Sequence, residues 1–115
     1  MDTIFDVFQT IPYTFLKISR GGVAGDVISE EVQSDGVFEL DNGMIVNNDQ
    51  ELKESTCILY IRPDASFIST GLTGHGVRIK GRTYEIKGTE EGHNHDTNIV
   101  EHYECTLQER AFTAL

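Results

Sequence analysis

The chain has 115 residues, the usual size of one folded domain, and its 19 acidic and 9 basic side chains give a formal net charge of −10. Affinity for nucleic acid comes mainly from cations that displace counterions from phosphates, so this balance argues against a tight clamp for DNA or RNA. No stretch approaches the roughly 18 consecutive apolar residues of a membrane span. Acids also stand near the N-terminus where a signal peptide has basic residues, so we expect a soluble protein that is not secreted.

Several segments alternate apolar and polar residues with the period of two that is typical of half-buried strands. The sequence therefore predicts an all-β fold, a small antiparallel β-barrel that forms a single domain over residues 1–115, with long loops and a mobile N-terminal arm at residues 1–12. The first predicted strand covers residues 13–20. The next segment, residues 21–33, begins with several glycines and predicts a flexible entry into an edge strand or a mobile arm.

A tight hairpin is predicted at Asn42 and Gly43, between strands near residues 36–40 and 44–47. Both turn residues tolerate positive φ, which a type I′ turn requires. The nearly continuous apolar run that follows, TCILYIR, predicts a central strand with both faces covered. Pro63 ends that strand because proline cannot donate to the ladder.

The two cysteines are predicted to be core residues. Cys57 and Cys105 lie within apolar strands, where a free thiol usually behaves as a small hydrophobe, so we expect both to be reduced and buried.

Residues 63–76 predict a loop that exposes three apolar side chains. We consider these and two from the N-terminal arm as partner contacts, or alternatively as side chains that pack over an open end of the barrel: Phe5, Phe8, Phe67, Ile68 and Leu72.

Residues 76–83 have the glycine spacing of a phosphate-binding P-loop, with Arg82 in place of the lysine. A P-loop needs a loop followed by a helix, whereas the residues on both sides of Gly81 alternate like strands, so we predict a hairpin. An acidic loop is predicted at residues 88–99. The last strand, HYECTLQ, is predicted to point its tyrosine, cysteine and leucine inward.

His93, His95 and Asp96 are weak candidates for metal ligands, with His75 and His102 elsewhere in the chain. Imidazole and carboxylate groups suit zinc, but loop histidines beside acids are more often simply solvated, and a pH-sensitive contact is a further alternative. We predict no metal, no cofactor and no catalytic residue. The sequence contains no GxSxG nucleophile elbow, and its carboxylates do not converge on a recognisable acid/base pair, so we predict that the protein is not an enzyme.

The order of these features resembles a known family over residues 36–110: a strand ending in Arg-Pro, a glycine-bounded loop, the hairpin HGVRIKGRTYEIKG, an acidic loop and the closing strand EHYECTLQ. It is similar to the head-tail joining or minor capsid proteins of siphophages, including head-closure (stopper) proteins. The resemblance implies a structural virion protein whose small barrel joins a ring between portal and tail and helps to close the DNA channel, without enzyme activity or cofactor.

The partners that the resemblance implies are copies of the chain in a ring, portal or adaptor proteins, and tail proteins. DNA would pass through the ring without specific binding, and no membrane would be involved. The protein would be assembled in the host cytoplasm and reside in the neck of the virion. Residues 21–33 and 88–99 are the candidates to face the channel, since both segments are long, acidic and glycine-bearing.

Three alternatives stay open at this stage. The first is a tail-completion or tail-terminator protein, which belongs to the same class of virion proteins. The second is a metal-binding module or small enzyme centred on His93, His95 and Asp96. The third is an isolated β-barrel that binds a small ligand in an apolar cavity.

Overall fold

A computed structural model describes residues 3–20, 26–94 and 96–112. One helical turn, α1, precedes six antiparallel strands that close a barrel in the order β1-β2-β3-β6-β5-β4. This confirms the predicted all-β barrel. Among the residues described, no helix has the length and hydrophobicity needed to cross a lipid bilayer. The elements are α1 Ile4–Val7, β1 Ile11–Ser19, β2 Val27–Leu40, β3 Thr56–Ile61, β4 Gly76–Ile79, β5 Arg82–His93 and β6 Val100–Glu109, with a 3-10 turn at Ile68–Thr70 before β4.

Strand β3 lies between β2 and β6, as its apolar composition predicts, and it shows how the strands fill the barrel. Cys57, Leu59 and Ile61 point inward and are buried, while Ile58 and Tyr60 on the outer face are only half-buried. The prediction that both faces are covered was therefore wrong for the outer face. The cysteines are free and buried, as predicted.

The imperfect alternation of β1 has a structural cause. Tyr13 and Phe15 point into the main core, but Leu16 and Ile18 on the opposite face are also buried, in a second small apolar cluster. Phe112, beyond the end of β6, packs against that cluster from outside the barrel. The outer face of β1 is thus apolar because the C-terminal segment covers it.

The first predicted hairpin exists, but its turn is not type I′. Among the described non-glycine residues only Lys80 and Asn98 have positive φ, so Asn42 does not meet the requirement. Instead the amide of Gly43 donates to the carbonyl of Leu40 at 2.8 Å, the amide of Leu40 donates to the carbonyl of Met44 at 2.8 Å, and Gly43 has a φ of 87°. This is the pattern of a three-residue loop with a bulge.

The predicted strand at residues 44–47 is reduced to a single bridge between Glu39 and Ile45. The chain leaves the sheet at this point because Val46 and Leu52 turn into the main core and are buried there. Burial of these two side chains stabilises the fold by removing apolar surface from water.

The type I′ turn occurs in the second hairpin, between β4 and β5. Lys80 and Gly81 have φ values of 52° and 81°, and the flanking Ile79 and Arg82 are paired. The strained lysine is held by its own side chain, because Lys80 Nζ donates to the carbonyls of Asn47 at 2.8 Å and of Asn48 at 3.0 Å. The P-loop spacing at residues 76–83 therefore belongs to a strand hairpin, as predicted.

Three predicted loops or arms contain more regular structure than expected. The acidic loop at residues 88–99 was wrong over its first half, because β5 continues to His93 and pairs with β6 as far as Val100. The N-terminal arm at residues 1–12 was wrong over its last residues, which lie in β1, and its described part contains α1 with Phe5 buried. The candidate channel segment 21–33 is strand from Val27 onward, and residues 21–25 lie outside the described chain.

Candidate docking surface

The N-terminal turn α1 begins with a compact cap. The backbone amide and the hydroxyl of Thr3 both donate to Asp6 Oδ2 at 3.2 Å, and the amide of Asp6 donates to the carbonyl of Thr3 at 3.0 Å. An acid in the first turn also suits the positive end of a helix. A turn this short is marginal by itself, so its position depends on tertiary contacts.

Those contacts come from Arg62, the residue that follows β3. Its guanidinium lies 4.8 Å from the ring centroid of Phe5 and donates two hydrogen bonds to the carboxylate of Asp35 on β2, at 3.1 and 2.8 Å. These bonds lower the pKa of Asp35 and raise that of Arg62. Arg62 thus joins the end of β3, the middle of β2 and α1 through one planar group.

Opposite this clamp lies the distal part of the β5–β6 hairpin, where hydrogen bonds join the described residues of the turn. Asn94 organises it: its side-chain oxygen accepts from the amides of Asp96 at 2.8 Å and Thr97 at 3.1 Å, and its carbonyl accepts from the amide of Asn98 at 2.7 Å. Asn98, with a φ of 57°, supplies the left-handed residue that closes the turn.

Between α1 and this turn is an open cleft of about 480 Å³. One wall is the N-terminal segment, the floor is the residues after β3, and the other wall is the β5–β6 turn. The lining residues are Thr3, Phe5, Arg62, Pro63, Asp64, Asn94, Thr97, Ile99, Val100 and Glu101. The cleft therefore combines apolar side chains with an arginine already fixed by its ion pair.

The segments that wall the cleft also expose apolar side chains. Of the four large hydrophobic residues exposed in the described chain, Val7, Phe8 and Ile99 belong to these two segments, with exposed fractions of 61, 43 and 64%. The fourth, Met44, lies at the opposite end of β3. Apolar side chains concentrated around a concave surface are typical of a protein contact site.

The predicted partner contacts divide into two groups. Phe67 and Leu72 are buried in the main core, where the Phe67 ring stacks on Phe15 with centroids 4.1 Å apart, and Ile68 packs partly against the same core. The expectation that the loop exposes them was wrong, because the loop folds back over the barrel and inserts its aromatic ring. Phe5 is also buried, under Arg62, so of the five residues only Phe8 is exposed.

Two of the three candidate metal ligands, His93 and Asp96, lie in the described part of the chain. His93 is engaged within its own turn, with Nε2 2.9 Å from Glu91 Oε2 and Nδ1 3.1 Å from Asn98 Oδ1, and these bonds raise its pKa. Asp96 is exposed, and His95 lies outside the described residues. Within residues 3–20, 26–94 and 96–112, no three His, Cys, Asp or Glu side chains form a group that could hold a metal ion.

The other two histidines occupy separate places. His102 packs edge-on against Tyr60 at 5.3 Å between ring centroids and lies against Gly92, where an added Cβ would come within 2.2 Å of the imidazole. His75 lies beside β1, where its Nδ1 accepts a hydrogen bond from the backbone amide of Ile18 at 2.9 Å. His102 is therefore a packing residue, whereas His75 is a hydrogen-bond acceptor for the backbone of β1.

Charge is unevenly neutralised on the surface. Each arginine forms an ion pair, among them Arg82 with Glu109 and Arg78 with Glu31, both at 2.8 Å. In contrast, Glu90 and Glu104 are register partners on β5 and β6, so two like charges stand opposite each other. The excess of acids leaves the distal β5–β6 hairpin negative.

Sequence reasoning missed the Arg62 clamp and the cleft. Arg62 was visible only as the residue before Pro63, and nothing in the chain indicated that Asp35 and Phe5 would meet it. Ile99 carried a weak signal, as an apolar residue within an acidic segment. No family model, no curated protein and no solved structure matches this chain.

Proposed function

We propose that this protein is a structural component of a phage neck, forming a ring that connects the portal and head to the tail and helps to close the DNA channel. Copies of the chain, a portal or adaptor protein and a tail protein would be its partners. The proposal rests on the resemblance over residues 36–110 and on one surface feature. That feature is the cleft beside α1, which Ile99 lines, together with Val7 and Phe8, which are exposed on the adjoining N-terminal segment.

A ring requires each copy to present two different surfaces that fit each other. The cleft provides a concave apolar surface of suitable size, and its walls provide apolar side chains able to fill a pocket on a neighbour. Its Arg62 is already paired with Asp35, so docking would not bury this guanidinium without a counter-charge. The net charge of −10 would disfavour adhesion of DNA to such a ring.

The test is assembly with purified heads that contain portal and DNA, using wild type and two matched variants. Ile99→Asp places a charge at the cleft, whereas Met44→Asp places one at a comparably exposed apolar residue at the other end of β3. We expect wild type and Met44→Asp to sediment with the heads and Ile99→Asp to stay in the supernatant. Absence of wild-type binding to heads would refute the neck assignment, and equal binding by all three proteins would refute the docking role of the cleft.

The tail-completion alternative predicts a ring of the same protein at a different height. Electron microscopy of particles that carry a labelled copy distinguishes the two, since a connector lies next to the portal and a terminator lies on the tail tube.

A further inference from the structure

The barrel is closed along its shortest ladder, in which residues 14–16 of β1 pair with residues 76–78 of β4. Beyond Leu16, the backbone of residues 74–75 bonds to β5 instead of β1. The amide of Gly74 donates to the carbonyl of Ile86, and the amide of Ile86 donates to the carbonyl of His75, both at 2.8 Å. The remaining backbone groups of β1 therefore have no strand partner on this side. Side chains complete the closure.

Two polar bonds do so. The amide of Ile18 donates to Nδ1 of His75 at 2.9 Å, and the guanidinium of Arg20 donates to the carbonyl of Gly74. Since Nδ1 accepts, the imidazole must be neutral with its proton on Nε2. The ring also packs against Phe15, with centroids 5.6 Å apart.

The aromatic side chain of Phe112 covers the β1–β4 junction from outside the barrel. Phe112 packs on the small cluster that contains Leu16 and Ile18, and it lies so close to Gly76 that an added Cβ would come within 2.8 Å of its ring. Arg110 holds this segment through ion pairs to Asp26 at 2.7 Å and Glu85 at 2.8 Å.

We propose that the β1–β4 junction is an acid-sensitive opening point of the barrel, at which protonation of His75 releases the end of β1 from the segment before β4. Protonated Nδ1 can no longer accept the amide of Ile18, which is then left without its partner. The new positive charge lies near Lys17 of β1 and Arg20, the residue after β1, and both disfavour it.

The acidic groups on the other packed elements do not offset the unfavourable charge of protonated His75. On β5, the carboxylate of Glu85 is already shared among Arg110, Arg20 and Lys87. Asp26, at the start of β2, is bound to Arg20 and Arg110. Burial and the neighbouring cations lower the pKa of His75, so the junction stays closed at neutral pH and opens only in acid.

Opening would expose Leu16 and Ile18 together with unpaired backbone groups of β1, a surface able to pair with an extended segment of another protein. The device requires no ring and is independent of the neck assignment. It is therefore tested on the isolated chain.

The experiment measures amide hydrogen exchange by NMR in wild type, His75→Asn and His75→Ala. Asparagine is the matched control, because its Oδ1 occupies nearly the place of Nδ1 and accepts a hydrogen bond without titrating. In wild type, protection of the Ile18 amide should fall about fivefold, the equivalent of one hydrogen bond, between about pH 7.5 and about pH 5 after correction for intrinsic exchange. Amides at the centre of the β5–β6 ladder should keep their protection.

His75→Asn should keep the Ile18 amide protected at both pH values, and His75→Ala should leave it poorly protected at both. Phe112→Ala should lower protection of the same amide at every pH, since it removes the cover but not the acceptor. Ile18 protection that does not change with pH in wild type would overturn the proposal. So would a parallel loss throughout all strands, or the same acid response in His75→Asn.

Discussion

Comparing Phe67 with Phe8 tests whether the loop between β3 and β4 packs into the core. Both are phenylalanines that the sequence predicts as partner contacts, yet Phe67 is 4% exposed and Phe8 is 43% exposed. The Phe67 ring stacks on Phe15 at 4.1 Å, with an angle of 3° between the planes, and meets the edge of Tyr13 at 6.4 Å. It therefore fills space inside the barrel as a member of the main core.

Truncation of a buried phenylalanine to alanine removes its transfer free energy and leaves a cavity, which together cost about 3–5 kcal/mol. The stacked geometry places Phe67→Ala at the upper part of that range, because an aromatic pair adds about 0.5–1.5 kcal/mol beyond area burial. Phe8→Ala should change the free energy of unfolding by less than about 0.5 kcal/mol, the usual limit for a surface substitution. A domain of this size has roughly 5–15 kcal/mol in total, so Phe67→Ala should be folded but fragile.

Urea unfolding followed by circular dichroism measures both variants. Phe67→Ala should lower the midpoint concentration by about 2 M, given slopes of about 1–3 kcal/mol/M, while the midpoint of Phe8→Ala stays close to that of wild type. Phe67→Leu, which keeps most of the apolar volume, should lie between wild type and the alanine variant. A loss below about 1 kcal/mol for Phe67→Ala, or equal losses for both alanine variants, would refute the assignment of Phe67 to the core.

Further predictions concern a glycine, an ion pair and the thiols. Gly36→Ala should cost about 1–3 kcal/mol by thermal or urea unfolding. The reason is that the added Cβ would come within 2.6 Å of a backbone carbonyl of β3. Gly88→Ala is the neutral control, because no atom lies within 4 Å of the place where its Cβ would be. Equal losses of stability in the two variants would contradict this geometry. Asp35→Asn should lower the melting temperature at neutral pH, because the bond to Arg62 lowers the pKa of this carboxyl in the folded protein. The deficit should begin to shrink as pH falls below the ordinary value of about 3.9 and should vanish only below the lowered folded-state pKa. A deficit that persists below both pKa values would argue against the ion pair. Burial raises the pKa of Cys57 and Cys105 to about 12. A thiol reagent such as DTNB should therefore label neither cysteine in the folded protein and both in urea. Rapid labelling of the folded protein would contradict their burial.

The Arg62 clamp illustrates a feature that no local pattern could reveal. Arg62 and Asp35 are 27 positions apart and meet only because β2 and β3 pair in one register, with Gly36 opposite Ile61. Phe5 then joins them from the far end of the chain. The cleft depends on all three, so it could be recognised only once the strands were in place.

The sequence alone determined the strand content of the protein, because a period of two in the hydrophobic pattern is a local property that each strand carries independently. It also predicted that the residues flanking Gly81 form a hairpin and that the cysteines are buried. Tertiary structure decided the rest. Asn42-Gly43 lies in a three-residue loop with a bulge rather than in a type I′ turn, and the chain after it places Val46 and Leu52 in the core. The apolar loop residue Phe67 is a core residue that stacks on Phe15. Turn type and loop burial depend on which distant surfaces come together, and that follows from the pairing of all six strands.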